Sequence, residues 1–365
     1  PVNGLLIFSE RNFFMRTITV NASGKYDIIV GSGIIENCAE YISKATKAKS
    51  FAIVADDNTD RFYGNVVADS LKNAGYDVCK FVFPHGEASK CLSQLNEIYM
   101  FLCENHITRS DCLIALGGGV TGDMTGLAAA TYLRGLDYIQ IPTSLLAQVD
   151  SSVGGKTAID LPCGKNLVGA FKQPNLVLCD IGTLSTLPRD FFIDGMGEVV
   201  KYGMIKSAEL FDILDGHDIN NINDVLEDVI CRCISIKRDV VEADEFDHGD
   251  RMLLNFGHTL GHSIEQHYNF TGISHGRAVS IGMVMMTELA EKRGMCAAGT
   301  CEKLISCLKK YELPVSSELK TSQLGDACLN DKKRSGGSIS VVICSEVGKS
   351  SYVKLSIEEF LDLLK

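Results

Sequence analysis

The sequence predicts an α/β protein in two parts, a domain built on a parallel sheet followed by a mostly α-helical domain. Three observations carry that prediction. Up to residue 188, short apolar runs alternate with amphipathic segments, the pattern of strands and crossover helices in a sheet covered on both faces. After Leu187-Pro188 the strand signal fades and apolar residues recur every three or four positions. The chain has 365 residues, more than one compact core holds comfortably and suited to two domains of about 150–200 residues.

Taken in order, 26–30, 50–55, 77–83, 112–116, 138–142 and 175–180 read as strands, with helices such as 61–74 and 93–104 between them. This is a Rossmann-like parallel-sheet arrangement over 15–188. The helical part, 189–365, takes helices at 208–214, 223–239, 251–266, 277–293 and 300–310, then a hairpin of 338–344 with 350–353. Residues 1–14 lack the charged start and small-residue cleavage site of a secretory signal and read as an upstream extension or added residues. With no repeat or low-complexity linker, a cleft between closely packed domains is the expected ligand site.

Hydrophobic residues make up 45% and charged residues 22%, which excludes a disordered chain. Lys and Arg total 35 against 46 Asp and Glu, for a net charge of −11. That balance argues against a nucleic-acid surface or a polybasic membrane patch. The longest greasy stretch, 278–286, is broken by Ser280 and Gly282 and is too short to span a bilayer. The 14 cysteines contain no CxxC pair, and Cys79, Cys112 and Cys179 sit in strand-like runs. They read as reduced, buried thiols of a cytoplasmic protein, with Cys231 and Cys233 a weak thiolate pair at most.

The run Leu113-Ile-Ala-Leu116 leads into Gly117-Gly118-Gly119-Val120-Thr121-Gly122-Asp123. Strand, glycine turn and helix start together offer backbone N–H groups and a positive dipole end to a pyrophosphate. The same run could also be a packing turn. It matches G-x-G-x-x-G on a middle strand, and the acid that should follow is doubtful, because Asp137 begins a strand. A second candidate, Pro84-His85-Gly86-Glu87-Ala88-Ser89-Lys90, follows a strand end, as do Asp56 and Asn58, within reach of ribose hydroxyls.

His258 and His262 lie four apart on one helix face, and His275 opens a further helix. Glu198, with Lys201 three residues on, supplies an inward carboxylate. One carboxylate with two or three imidazoles makes a catalytic metal site with open positions; alternatively, each histidine is a helix-interface residue. His85, His106, His217, His248 and His267 read as ordinary polar positions. Basic residues recur in segments that otherwise look internal: Arg134, Lys156, Lys165, Lys201, Lys237, Arg251, Lys332 and Lys333. Ser151–Thr157 reads as a second anion loop. These cations either pair with Asp150, Asp160 and Asp180 or meet a substrate carrying phosphate, carboxylate or both.

The runs 117–123, Ile141-Pro142-Thr143, 149–156, Gly195-Met-Gly-Glu198-Val-Val-Lys201-Tyr-Gly203 and Leu254-Asn255-Phe-Gly-His258-Thr-Leu-Gly-His262 resemble the 3-dehydroquinate synthase family. The resemblance covers most of the chain from Arg16. It implies the dehydroquinate synthase-like fold, NAD and a divalent metal (zinc or cobalt) as cofactors, and a homodimer in which Arg134 reaches the neighbouring active site. The activity it implies converts 3-deoxy-D-arabino-heptulosonate 7-phosphate to 3-dehydroquinate and phosphate, in the shikimate pathway.

Carried over by position, the metal ligands fall on Glu198, His258 and His275. Nucleotide-site residues fall on Asp56, Asn58, Glu87, Lys90, Gly118, Gly119, Asp123, Thr143, Ser144 and Thr186, with Lys156 and Lys165. Substrate residues fall on Asp150, Lys156, Lys165, Asn166, Lys201, Lys237, Arg251, Asn255, His262 and Lys332 or Lys333. Two positions depart from the family pattern: Ser144 stands for a usual threonine and Asp247 for a usual glutamate. The competing readings are a metal- and NAD-dependent dehydrogenase of the glycerol dehydrogenase type, a sugar-phosphate cyclase whose substrate lacks a carboxylate, and a non-enzymatic nucleotide-binding regulator. The dehydrogenase would not need the cation cluster.

Overall fold

The computed structural model describes residues 15–268, 272–321, 324 and 338–365. Residues 1–14, and Lys332 and Lys333, lie outside the described residues. The chain divides into two compact units. One takes the described residues up to Arg189 together with Lys237–Phe246, and the other takes Asp190–Ile236 with the described residues from Asp247 onward.

In the first unit, β1 (Arg16–Asn21), β2 (Lys25–Gly31), β3 (Ser50–Asp56), β4 (Asp77–Phe83), β5 (Cys112–Gly117) and β6 (Asp137–Pro142) precede a hairpin of β7 (Lys156–Leu161) and β8 (Gly164–Phe171). β9 (Leu176–Asp180) follows. The main sheet runs β1-β2-β9-β6-β5-β3-β4. Every neighbouring pair is parallel except β1 with β2. Residues of β3 alternate between two cores. Phe51, Ile53 and Ala55 pack with Ile42, Val67 and Leu71 of α1 (Cys38–Ala45) and α2 (Asn65–Asn73). Ala52 and Val54 pack with Leu95, Ile98 and Leu102 of α3 (Leu92–Glu104) and with Met124 and Leu127 of α4 (Gly119–Thr131). That two-residue period under two helical layers is what the near-continuous apolar strands require, and each large aliphatic side chain so buried contributes about 1.5–3 kcal/mol.

The second unit holds α5 (Arg189–Lys206, from Asp190), α6 (Ala208–Asp215) and the first part of α7 (Leu226–Ala243). These are followed by α8 (His258–His267), α9 (His275–Lys292), α10 (Thr300–Lys310), the hairpin β10 (Ser338–Glu346) with β11 (Lys349–Ser356), and α11 (Ile357–Leu363). The hairpin turn closes the end of α5: Gly348 N–H donates to the Met204 carbonyl at 2.9 Å and Ser350 Oγ to the Ile205 carbonyl at 2.9 Å. Among the described residues, no helix is long and apolar enough to cross a membrane.

The structure adds helices that the sequence reading did not contain, α5 with Glu198 among them, and differs from it elsewhere. Ser151–Thr157, read as a second anion loop, leads through Gly154 and Gly155, both at positive φ, into the β7–β8 hairpin, where the sequence reading places no strands. The helix expected over 251–266 is split into a 3-10 turn, Asp250–Asn255, and α8. The break is at Gly257 (φ 79), where a Cβ would press on the Val279 carbonyl and Met283. Helix 61–74 begins with a π-turn, Asp60–Gly64. The thirteen described cysteines form no disulfide; Cys231 and Cys233 are buried on α7.

Asp180, at the end of β9, is 1% exposed, and its carboxylate accepts N–H bonds from Gly33 (3.0 Å), Ile35 (3.1 Å) and Gly182 (2.9 Å). Burial pushes this carboxyl up, against the lowering pull of those N–H groups. Replacing it with alanine strands the buried Ile35 donor and two partly exposed ones, so Asp180→Ala should lower unfolding free energy by about 2 kcal/mol, read as a reduced urea midpoint with an unchanged slope.

Candidate active site

The chain leaves β3 toward β4 but leaves β5 toward β6, so the C-terminal ends of β3 and β5 straddle the sheet's topological switch point. Crevices for ligands form there. Asp56, the last residue of β3, accepts from Thr59 N–H at 3.0 Å, Thr59 Oγ1 at 2.9 Å and Thr121 Oγ1 at 3.4 Å. Asn58 is exposed in the turn that follows. β5 ends in Gly117, and α4 starts at Gly119 with Gly118 as its N-cap and no side-chain cap. Its positive end therefore carries no side-chain acceptor of its own, which suits an anion.

Thr143 N–H donates to the Gly117 carbonyl at 3.0 Å, and Ser144 Oγ accepts from Ala147 N–H at 3.3 Å. Thr186 Oγ1 lies 2.6 Å from Tyr63 OH. Asp137 is at the opposite, N-terminal end of β6, where it accepts from Thr46 Oγ1 at 2.8 Å, and cannot serve the glycine turn.

Past β4, Glu87 opens a 3-10 turn and Lys90 is buried. Lys90 Nζ is 2.6 Å from Asp123 Oδ2 and donates to Asn166 Oδ1 at 2.5 Å, tying the β4 loop to α4 and to β8. Burial pushes the Asp123 carboxyl up despite Lys90. It also works against charging Lys90, but Asp123 and Glu87 outweigh it and raise the ammonium. Asn166 takes a left-handed backbone (φ 55), and its N–H donates to Asp160 Oδ1 at 2.7 Å. Lys165 Nζ lies 3.9 Å from Glu87 Oε1, and Lys156 is exposed at the start of β7. Asp150 sits in a π-turn, Ala147–Ser151; buried Lys237 donates to its carboxylate at 2.8 Å and also to its carbonyl. For Lys237 and Lys90, ion pairing to carboxylates is thus what the fold provides.

In the second unit, three helices bring Glu198, His258 and His275 together. Their approach depends on missing side chains. A Cβ at Gly197 would lie 2.6 Å from the Gly276 carbonyl oxygen, and one at Gly282 would collide with the Gly257 carbonyl. α5, α8 and α9 can therefore cross backbone to backbone. His258 and His275 are each the first residue of their helices, so short tethers carry both rings to Glu198.

Glu198 is fully buried. Its Oε2 accepts from the equally buried Lys201, while its Oε1 lies 3.6 Å from both His258 Nε2 and His275 Nε2. That is longer than a good hydrogen bond. Two donors bound at about 2.1 Å to one ion at a tetrahedral angle lie about 3.4 Å apart. The outer nitrogens are engaged elsewhere: His258 Nδ1 is 3.1 Å from the Phe256 carbonyl and His275 Nδ1 is 3.4 Å from Glu265 Oε2. Both rings so held turn Nε2 inward, and the donor set fits a divalent cation. Burial pushes His258 down to about 3 despite Glu198. It also opposes charging His275, but Glu198 and Glu265 prevail and carry that ring up to about 10.

His262 is on the same helix face but exposed, its ring centroid 5.3 Å from that of His258. Together with Glu265 and His275 it forms a second group whose ligand atoms lie within 4.8 Å of one another. Glu265 was not a sequence candidate, although 258, 262 and 265 follow the i, i+4, i+7 spacing of one helix stripe. Arg251 is buried in the 3-10 turn that Asn255 ends, exposed. Asp247 has a left-handed backbone (φ 62), which a short aspartate adopts more readily than most residues. Arg134 is exposed at φ 69, after Leu133 at φ 49.

Gly282→Ala should force α8 and α9 apart and lower stability by about 2–3 kcal/mol, seen as a lower thermal midpoint. An unchanged midpoint would show that the close crossing is not needed.

Comparison with known proteins agrees with the site. A family model described as 3-dehydroquinate synthase N-terminal matches residues 80–194, and one described as 3-dehydroquinate synthase C-terminal matches 195–334. A 3-dehydroquinate synthase of Clostridium acetobutylicum is 45% identical over 354 residues, 96% of this chain and 99% of the relative. Among solved structures, 2-deoxy-scyllo-inosose synthase complexed with carbaglucose-6-phosphate, NAD+ and Co2+ has a TM-score of 0.85 at 25% identity, covering 96% of this chain and 99% of that one. 2-epi-5-epi-valiolone synthase from Streptomyces hygroscopicus, with NAD+ and Zn2+ bound, has a TM-score of 0.84 at 26% identity, covering 95% and 98%. With its glycine turn, its carboxylate–imidazole cluster and these relatives, the chain belongs to the 3-dehydroquinate synthase family.

Proposed function

We propose that the protein is a 3-dehydroquinate synthase, a carbon–oxygen lyase converting 3-deoxy-D-arabino-heptulosonate 7-phosphate to 3-dehydroquinate and phosphate. It uses NAD catalytically and a divalent metal, zinc or cobalt, and serves the shikimate pathway toward aromatic amino acids. The observation that carries the reading is the convergence of Glu198 Oε1 with His258 Nε2 and His275 Nε2 in a member of this family. The switch-point glycine turn, and the NAD+ in both related solved structures, support the nucleotide.

NAD bound here would supply a temporary hydride acceptor for the substrate C5, and a divalent metal would supply Lewis-acid polarisation of the substrate oxygens. Glu198, His258 and His275 would hold the metal, and Lys201 fixes the Glu198 carboxylate by engaging Oε2. Asp56, Asn58, Gly118, Gly119, Thr143, Ser144 and Thr186 receive the nucleotide, and the Lys90–Asp123 pair orders the loops beside it. Lys156, Asn166, His262 and Lys332 or Lys333 hold the substrate phosphate, joined by Arg134 from a second copy of the chain. The exposure of Arg134 supports that reach. Arg251 and Asn255 take the carboxylate, while Lys237 keeps Asp150 in place. With C5 at the ketone level the adjacent C6–H would be acidic: its proton would pass to a phosphate oxygen, the C–H electron pair would form the C6–C7 double bond, and the C7–O electron pair would leave with phosphate. The cations meet that charge as it develops.

Purified protein with the heptulosonate phosphate, NAD and zinc should release phosphate and dehydroquinate in equal amounts without net NADH. Accumulating NADH with a simple alcohol, and no phosphate release, would instead favour a dehydrogenase. Lys156→Ala should abolish turnover yet retain metal, whereas His275→Ala should lose both. Full metal content in His275→Ala would contradict the ligand assignment.

A further inference from the structure

The reaction assigned above gives Glu265 nothing to do. It is buried on α8, carries a carboxylate and is outside the ligand set read from the family. A carboxylate removed from water is costly unless it meets a cation or a strong donor. Its Oε2 faces His275 Nδ1 at 3.4 Å, and His262 Nε2 is farther at 4.0 Å. An imidazole presents two nitrogens, and the acceptor at one decides which the other offers to a metal. For His258 that acceptor is a backbone carbonyl two residues before it in the chain. His275 begins α9, and its acceptor comes from a different helix.

We infer that Glu265 is a positioning residue for the metal site: by accepting the Nδ1–H of His275 across the α8–α9 contact, it holds that ring with Nε2 turned toward Glu198. This rests on the reading that Glu198, His258 and His275 bind a divalent cation. Glu265 touches neither the ion nor the substrate in this role. The alternative is that Glu265 is itself a ligand, in the second group it forms with His262 and His275.

The test is zinc affinity, measured by chelator competition on the full-length protein, alongside the thermal midpoint of the metal-free form. Glu265→Gln should weaken zinc binding about 10- to 100-fold while the metal-free midpoint stays near that of wild type, and Glu265→Asp, which keeps a charged acceptor, should recover part of the loss. Affinity within about twofold of wild type would overturn the inference. So would a loss as complete as that of His258→Ala, which would make Glu265 a ligand. If Glu265→Gln does not fold, 15N spectra of the imidazoles in the zinc-loaded wild type decide: His275 protonated on Nδ1 supports the inference, and protonated on Nε2 overturns it. Unchanged affinity in His258→Ala would remove the underlying metal reading, a result separate from any effect at Glu265.

Discussion

Backbone-to-backbone crossing of α5, α8 and α9 is the constraint from which the rest of the second unit follows. Helices faced with ordinary side chains pack with axes about 8–10 Å apart, a spacing set by the side chains at the contact. At Gly197 against Gly276, and Gly282 against Gly257, nothing stands between the chains. Short side chains at helix starts can then meet a carboxylate in mid-helix. The left-handed step at Gly257 serves the same end, because it ends the preceding turn and starts α8 at His258.

Buried cations mark the places where this acidic chain departs from an apolar interior. Lys201 meets Glu198, Lys237 meets Asp150, and Lys90 meets Asp123. Such pairs are poor stabilisers, since desolvation offsets much of their attraction and apolar substitutes often serve stability as well. Their placement is better explained by what they orient. Lys201 occupies one oxygen of Glu198 and leaves the other toward the imidazoles, while Lys90 links the β4 loop, α4 and β8 through two acceptors. Lys237 meets Asp150 in a π-turn, Lys201 meets Glu198 beside the two imidazoles, and Lys90 joins the loop after β4 to Asp123 in α4, all places where pre-set polar geometry is needed.

Much of the fold was legible in the sequence because local chemistry and tertiary structure agree there. Most strands of the main sheet are apolar runs, several of them closed by Gly, Pro or Asp, and the late hairpin was readable from its alternation. The β7–β8 hairpin was not, since its glycine-rich entry looks like a loop and much of β8 is exposed. The break at Gly257 carries no proline and depends on how closely Val279 and Met283 approach, which one strand of sequence cannot report. At the site, i, i+4 spacing put His258 and His262 on one face but could not choose between them. The choice belongs to α5, whose Glu198 meets His258 and His275. Glu265 escaped notice because a glutamate on a helix ordinarily faces water.

The proposed metal site of this chain consists of one carboxylate and two imidazoles. Zinc K-edge absorption on protein loaded with one equivalent reads that composition directly. The expected result is a shell of nitrogen and oxygen alone at about 2.0–2.1 Å with multiple-scattering features of two histidines; sulfur at about 2.3 Å, as cysteine ligation gives, would contradict it.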